Sequence, residues 1–169
     1  MSDLGPAPAS PPGTPATVPT GVGTPCLQLS AGDLDEMIAH CLGTYPEEGC
    51  GLLVGDPTTS VVASVHPTRN LAASAQVYTV DPREHLHLDR EAEHAGQAVI
   101  GVFHSHTHTD AYPSPTDVAQ ATDPGWHYVL VSLRDTHPVV RSYLIRDGQI
   151  TEEPVEVPGL GVPGLEAPG

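Results

Sequence analysis

The chain has no lysine; its six basic residues are all arginine, against 21 acidic ones, for a formal net charge of −15 over 169 residues. Nothing in such a composition can neutralise a run of phosphates, which argues against nucleic acid or an anionic membrane as partner. A protein met through a local patch, or a small molecule in a cleft, fits the charge better. Large aromatics are scarce, with one Trp and one Phe, so aliphatic side chains must build the core. There are only three cysteines, Cys26, Cys41 and Cys50, with no C-x-x-C spacing. An odd, sparse set is not a disulfide framework and fits a reducing compartment. No apolar run approaches the ~18 residues of a membrane span, and the N-terminus lacks a charged stretch leading into an apolar one. A cytoplasmic protein is expected.

Proline and glycine are unevenly spread. Residues 1–25 hold seven prolines and four glycines and almost no large apolar residue. A stretch of that kind buries too little surface to offset its ordering entropy, so a disordered tail is expected there. Residues 158–169, "PGLGVPGLEAPG", read the same way, which leaves one domain over 26–157. Inside it the elements alternate. "SAGDLDEMIAHCLGTY" from Ser30 places Leu34, Met37, Ile38, Cys41 and Leu42 on one helical stripe. "CGLLVG", "SVVASVHP" and "QVYTV" read as strands. "DPREHLHLDREAEHAG" opens a helix with Asp81 as N-cap and Pro82 in the first turn. "AVIGVF", apolar throughout, reads as a central strand buried on both faces. A short helix over 114–122 and closing strands "HYVLVSL", "VVRSYLI" and "QITEEPVEV" follow. The fold class is α/β (α+β), a mixed sheet with helices packed on it.

The chemistry concentrates directly after the central strand, in "HSHTHTDAYPSPTD" (104–117). Alternate strand residues share a face, so His104 and His106 can turn toward one ion, whereas His108 does so only if the chain stays extended. "SPTD" is a helix start with Ser114 as N-cap. Its Asp117 is either a capping residue, though shorter than the Glu or Gln a capping box prefers, or a side chain projecting toward the histidines. Two histidines and a carboxylate form a common catalytic zinc set with a position left for water. The plain alternative is a histidine-rich polar loop with a cap. A hydrolytic site also needs a carboxylate that is not a ligand. "YPEEGCGLL" offers Glu47 and Glu48 before a strand, and composition does not choose between them.

H-S-H, seven residues, then S-x-x-D resembles the signature of the JAMM (MPN-type, Mov34/PAD-like) metalloprotease family, matched by His104, Ser105, His106, Ser114 and Asp117. The family also carries a glutamate two residues before a Cys-Gly pair, which corresponds to Glu48 before Cys50 and Gly51. The resemblance implies a cytidine-deaminase-like mixed sheet flanked by helices. It implies one zinc ion on His104, His106 and Asp117, Glu48 as general base and acid, and Ser114 as oxyanion donor. Many relatives have proline after the second histidine; here it is Thr107. Over about residues 27–157, segments such as "SHTHTDAYPSPTDVAQAT" and "HYVLVSLRD" are similar to the actinobacterial Mec+ group of the family. That likeness implies hydrolysis of a Gly–Cys amide at the C-terminus of a ubiquitin-like sulfur carrier of the CysO type, releasing L-cysteine. The alternatives are an isopeptidase or peptidase acting on another ubiquitin-like conjugate, or a metal-free MPN-type scaffold.

Four further features have plainer readings. Glu84, His87, Glu91 and His94 share a helical stripe that reads as a solvated face rather than a second metal site. Cys50 reads as a buried structural thiol. His108 and Asp110 read as exposed loop residues, with contact to substrate as the alternative. Trp126 either anchors a partner or caps the core.

Overall fold

The computed structural model describes residues 26–159. The tails expected to be disordered lie outside the described residues, apart from 158–159. In chain order the elements are β1 (Leu27–Gln28), α1 (Ala31–Thr44), β2 (Cys50–Asp56), β3 (Val61–Thr68), α2 (Pro82–His94), β4 (Ala98–His106), α3 (Pro115–Gln120), β5 (His127–Ser132), β6 (Val139–Arg146), β7 (Gln149–Glu153) and β8 (Val155–Glu156). They form a mixed α/β architecture on one eight-stranded sheet of order β7-β6-β5-β4-β2-β3-β1-β8.

Strand alternation divides the core into two layers. Leu53, Phe103, Val129 and Val131 face α1 and pack with its Met37 and Cys41. Their neighbours Leu52, Val102 and Tyr128 face the other way and pack with Leu88 and Ala92 of α2. Burying each large aliphatic or aromatic side chain contributes roughly 1.5–3 kcal/mol. β4 has both faces covered, and every residue from Val99 to His106 is buried. On α1 the expected stripe is correct for Met37 and Cys41, but Leu42 is exposed.

β4 is antiparallel to β2 and parallel to β5. A parallel neighbour cannot follow through a tight hairpin. The connection therefore leaves the C-terminal end of β4, runs through a polar loop and α3, and crosses back to enter β5. Such a crossover opens a crevice at the carboxyl end of the strand, the usual place for a ligand in sheets of this kind.

Three expected elements differ. "QVYTV" is not a strand; it makes a single bridge, Asn70 to Val80. The Asn70 side chain takes the place of a ladder: its amide donates to the Glu48 and Val77 carbonyls at 3.0 and 3.1 Å. Its oxygen accepts from the Ala72 and Thr79 amides, both at 3.0 Å. The helix expected over 114–122 stops at Gln120, with Ala121 as C-cap in an extended conformation. "QITEEPVEV" divides at Pro154, which has no N–H to continue a ladder. Glu153 pairs with Ser142 on β6, whereas Val155 pairs with Leu27 on β1 at the far end of the strand order. One residue spans the two ends of the sheet, so the sheet curls almost closed at that corner.

Candidate metal centre and active site

Antiparallel register assembles much of the site. Cys50 of β2 pairs with His104 of β4. Continuing that register two residues outward sets Glu48 opposite His106 on the same face. The Ser105 amide donates to the Gly49 carbonyl at 2.9 Å, and the Gly49 amide donates to Ser105 Oγ at 2.8 Å. The serine between the two histidines thus fastens the segment that carries Glu48. Gly49 is required by close packing: a Cβ there would lie 2.7 Å from Thr44 Oγ1 and 2.9 Å from the Cys41 Cα at the end of α1.

His104 Nε2 lies 3.2 Å from His106 Nε2. Asp117 closes the triangle, with Oδ1 3.2 Å from His104 Nε2 and Oδ2 3.2 Å from His106 Nε2. The two readings of Asp117 prove compatible. Its Oδ2 also accepts from the Ser114 amide at 2.7 Å, and its own amide donates to Ser114 Oγ at 3.2 Å, completing a capping box. A short Asp suffices because the second role aims the carboxylate back past the helix N-terminus into the histidines. As a cap, Ser114 uses an oxygen lone pair and keeps its hydroxyl proton.

The donor set suits a cation. His106 Nδ1 lies 2.9 Å from the Asp110 carbonyl, which can only accept, so Nδ1 carries a proton. When that ring is neutral its Nε2 is a bare lone pair, yet it faces a second imidazole nitrogen and a carboxylate. A buried convergence of acceptors is unfavourable unless positive charge lies among them. Among the described residues, His104, His106 and Asp117 offer ligand atoms all within 4.8 Å of one another, so this group could bind a metal ion. Without a metal, protons supply that charge. Burial would raise Asp117, but the bonds from His104 and His106 hold its carboxyl well below the usual carboxylate range. Burial lowers His104 despite Asp117. His106 goes up because Asp117 and the Asp110 carbonyl outweigh burial.

Glu48 is only 4 % exposed. Burial pushes its carboxyl up to about 7, with His106 pulling down and Asp117 pushing up. It shares a cleft of about 440 Å³ with Ala75, Gln76, His106, Thr107, His108 and Ser114. A buried carboxylate poised near neutrality, beside a donor set suited to a metal and a hydroxyl at a helix start, is equipped to move a proton during hydrolysis.

The remaining expectations resolve individually. His87 and Glu91 form an exposed pair at 3.3 Å, and His94 bonds its own helix at Arg90, as a solvated face should. Cys50 is fully buried, with its thiol 3.5 Å from Thr68 Oγ1. Trp126 is half-buried against the α2-side core. Asp110 is exposed and pairs with Arg134 at 2.7 Å. His108 is exposed and lines the cleft. Two residues that sequence reasoning passed over support the site. Tyr78 stacks on His104, ring centroids 4.3 Å apart at 21°. Asn70 anchors the loop that carries Tyr78 to the Glu48 carbonyl. Neither has a motif signal, since "NLAASAQVY" reads as an ordinary loop running into a strand.

Residues 30–146 match the Prok-JAB family, prokaryotic homologs of the JAB domain. The chain belongs to the JAB/MPN (JAMM) family. It is 43% identical over 132 residues to the CysO-cysteine peptidase of Mycobacterium tuberculosis, covering 78% of this chain and 90% of that protein. It is 37% identical over 111 residues to the desampylase of Haloferax volcanii, covering 63% and 80%. A protein from Desulfitobacterium hafniense with a solution structure is 35% identical, with a TM-score of 0.71 over 78% of this chain and 92% of that one.

Proposed function

We propose that this chain is a zinc-dependent hydrolase that cleaves the Gly–Cys amide at the C-terminus of a ubiquitin-like sulfur carrier of the CysO type, releasing L-cysteine. The observation that carries the reading is the joining of a convergent His104–His106–Asp117 donor set to a buried Glu48 in one cleft, in a chain 43% identical to a CysO-cysteine peptidase. His104, His106 and Asp117 would hold one zinc ion. Bound there, zinc would supply Lewis acidity toward water and the amide carbonyl. The chain's own residues do the rest. Glu48 accepts the proton of the attacking water on its carboxylate and delivers it to the leaving amine nitrogen. Ser114 Oγ, whose proton the cap does not use, donates to the carbonyl oxygen as it gains negative charge. The Asp110 carbonyl holds His106 in the tautomer that presents Nε2. The C–N bond breaks, leaving a glycine carboxylate on the carrier and a free amino acid.

A cytoplasmic setting belongs to the same reading, supported by three unpaired cysteines. Among the described residues, no helix is long and apolar enough to cross a membrane. The 37% likeness to a desampylase favours one second reading, hydrolysis of an isopeptide bond on a conjugated protein. Mass spectrometry of a carrier–cysteine adduct, incubated with and without chelator, tests both. Loss of the cysteine mass, blocked by chelator and restored by zinc, is expected. An intact adduct alongside cleavage of a carrier–protein isopeptide would favour the second reading.

A further inference from the structure

Beside Glu48, the cleft carries an arrangement that the hydrolytic steps do not use. His108 Nδ1 lies 2.8 Å from Thr107 Oγ1, and its Nε2 lies 3.5 Å from Tyr45 Oη. The Thr107 hydroxyl is only 3.4 Å from another acceptor, the Ala75 carbonyl, so its shorter approach is to the imidazole. When that hydroxyl donates to Nδ1, the ring carries its proton on Nε2. The long contact to Tyr45 is then weak and easily replaced. Two donors, Nε2–H and the tyrosine O–H, stand side by side at the exposed end of the cleft. Tyr45 is 52 % exposed, so its hydroxyl is open to an incoming group. A proline in place of Thr107 could not orient the imidazole this way, because it has no hydroxyl.

A pair of adjacent donors on one wall suits an acceptor with two oxygens, a carboxylate. The placement agrees with the chemistry. The amine that takes the proton from Glu48 must lie against Glu48, and His108 lines that same cleft with Tyr45 beside it. In a free C-terminal amino acid, the carboxylate is attached to the carbon next to that nitrogen. Among the described residues no arginine lines the cleft, and the chain has no lysine. Arg134, near the same loop, is occupied by Asp110. Hydrogen-bond donors other than lysine and arginine must therefore recognise any carboxylate bound there.

We infer that Tyr45 and His108 form a clamp for the free carboxylate of the leaving amino acid, making this site selective for a terminal residue over an internal or isopeptide bond. The inference rests on the hydrolase reading above. Its probes are the mycobacterial CysO carrier bearing a C-terminal Gly–Cys amide, and the same adduct with its terminal carboxylate converted to a carboxamide. The zinc-loaded wild type should cleave the free acid with kcat/KM roughly tenfold to a hundredfold above the carboxamide, the size expected for hydrogen bonds to a charged group. His108→Ala and Tyr45→Phe should each reduce that ratio severalfold, mainly through KM for the free acid, and lower the carboxamide rate less. His108→Asn, which keeps a side-chain N–H, should recover part of the ratio. Equal cleavage of the two adducts by the wild type overturns the clamp while leaving hydrolysis standing. Variants that lower both substrates alike also overturn it, because that is the mark of a purely structural role. No cleavage of either adduct by the wild type refutes the hydrolase reading, and the clamp with it.

Discussion

Two buried histidine–carboxylate clusters sit on the neighbouring parallel strands β4 and β5, at opposite ends of the sheet, and they are built on opposite principles. At the N-terminal end of β5, His127 Nδ1 and Ser142 Oγ both approach Glu153 Oε1 at 2.6 Å. Donors there meet an acceptor, leaving only Glu153 Oε2 without a partner. The cluster lies at the corner where Pro154 joins the two ends of the sheet order. At the C-terminal end of β4, His106 Nε2 and the Asp117 carboxylate turn acceptors toward one another beside His104 Nε2, and a cleft opens next to them. Similar residue types make a closure in one place and a candidate reactive site in the other. What separates them is that donors meet an acceptor in the first, whereas acceptors meet in the second.

The largest effect should come from breaking the open cluster. Glu48→Gln should retain zinc while lowering turnover about 10²–10⁴-fold, whereas His106→Ala should lose metal and activity together. Metal analysis paired with adduct cleavage separates the two, and full activity in Glu48→Gln would sink the proton-transfer role. The same residue predicts a pH dependence for the chelated protein. Glu48 titrates near 7 in the fold against an ordinary 4.5. Between those values the folded state holds the extra proton, so its stability falls as pH rises through that window. Glu48→Gln should flatten the fall and stabilise the metal-free protein at pH 8 by on the order of 1–3 kcal/mol. Melting curves at pH 5 and pH 8 check the sign.

The closed cluster should respond in the reverse sense. His127→Ala leaves Glu153 buried without its main partner and should cost about 3–5 kcal/mol, with turnover per folded molecule unchanged. Urea unfolding read beside specific activity tests this, and a loss of activity without loss of stability would erase the contrast. Asn70→Ala should be milder, roughly 1–3 kcal/mol. Hydrogen exchange should quicken over residues 70–80, where the side chain stands in for a β-ladder. The smallest effect belongs to the α2 surface. His87→Ala should stay within about 0.5 kcal/mol and leave zinc content unaltered, which would confirm that exposed histidines at helical spacing are solvated.

Local pattern carried much of this fold. The stripe of α1, the N-caps Asp81 and Ser114, and the apolar run of β4 each depend on residues within a few positions of one another. "QVYTV" misled because β-branched and aromatic composition is also what a loop uses to pack on a core. Its backbone partners are decided by Asn70, outside the segment. Strand β1 has two residues and no periodicity to detect. The choice of Glu48 over Glu47 illustrates the limit well: composition left it open, a family pattern pointed to Glu48, and the register of β2 on β4 sets that residue opposite His106.

The sequence by itself determined which residue types were available. It holds two histidines at strand spacing, a helix start with an aspartate in its first turn, acidic residues ahead of a strand, and no lysine to compete for them. Only the tertiary structure decided that these groups meet. Convergence of His104, His106, Asp117 and Glu48 depends on strand register, on a parallel crossover and on Tyr78 stacking over His104 from the loop that Asn70 anchors. Those are long-range relations, and no window of neighbouring residues encodes them. The same reason sets His108 apart: three histidines at alternate positions look alike in sequence, yet the chain turns after His106 and leaves the third facing the cleft instead of the centre.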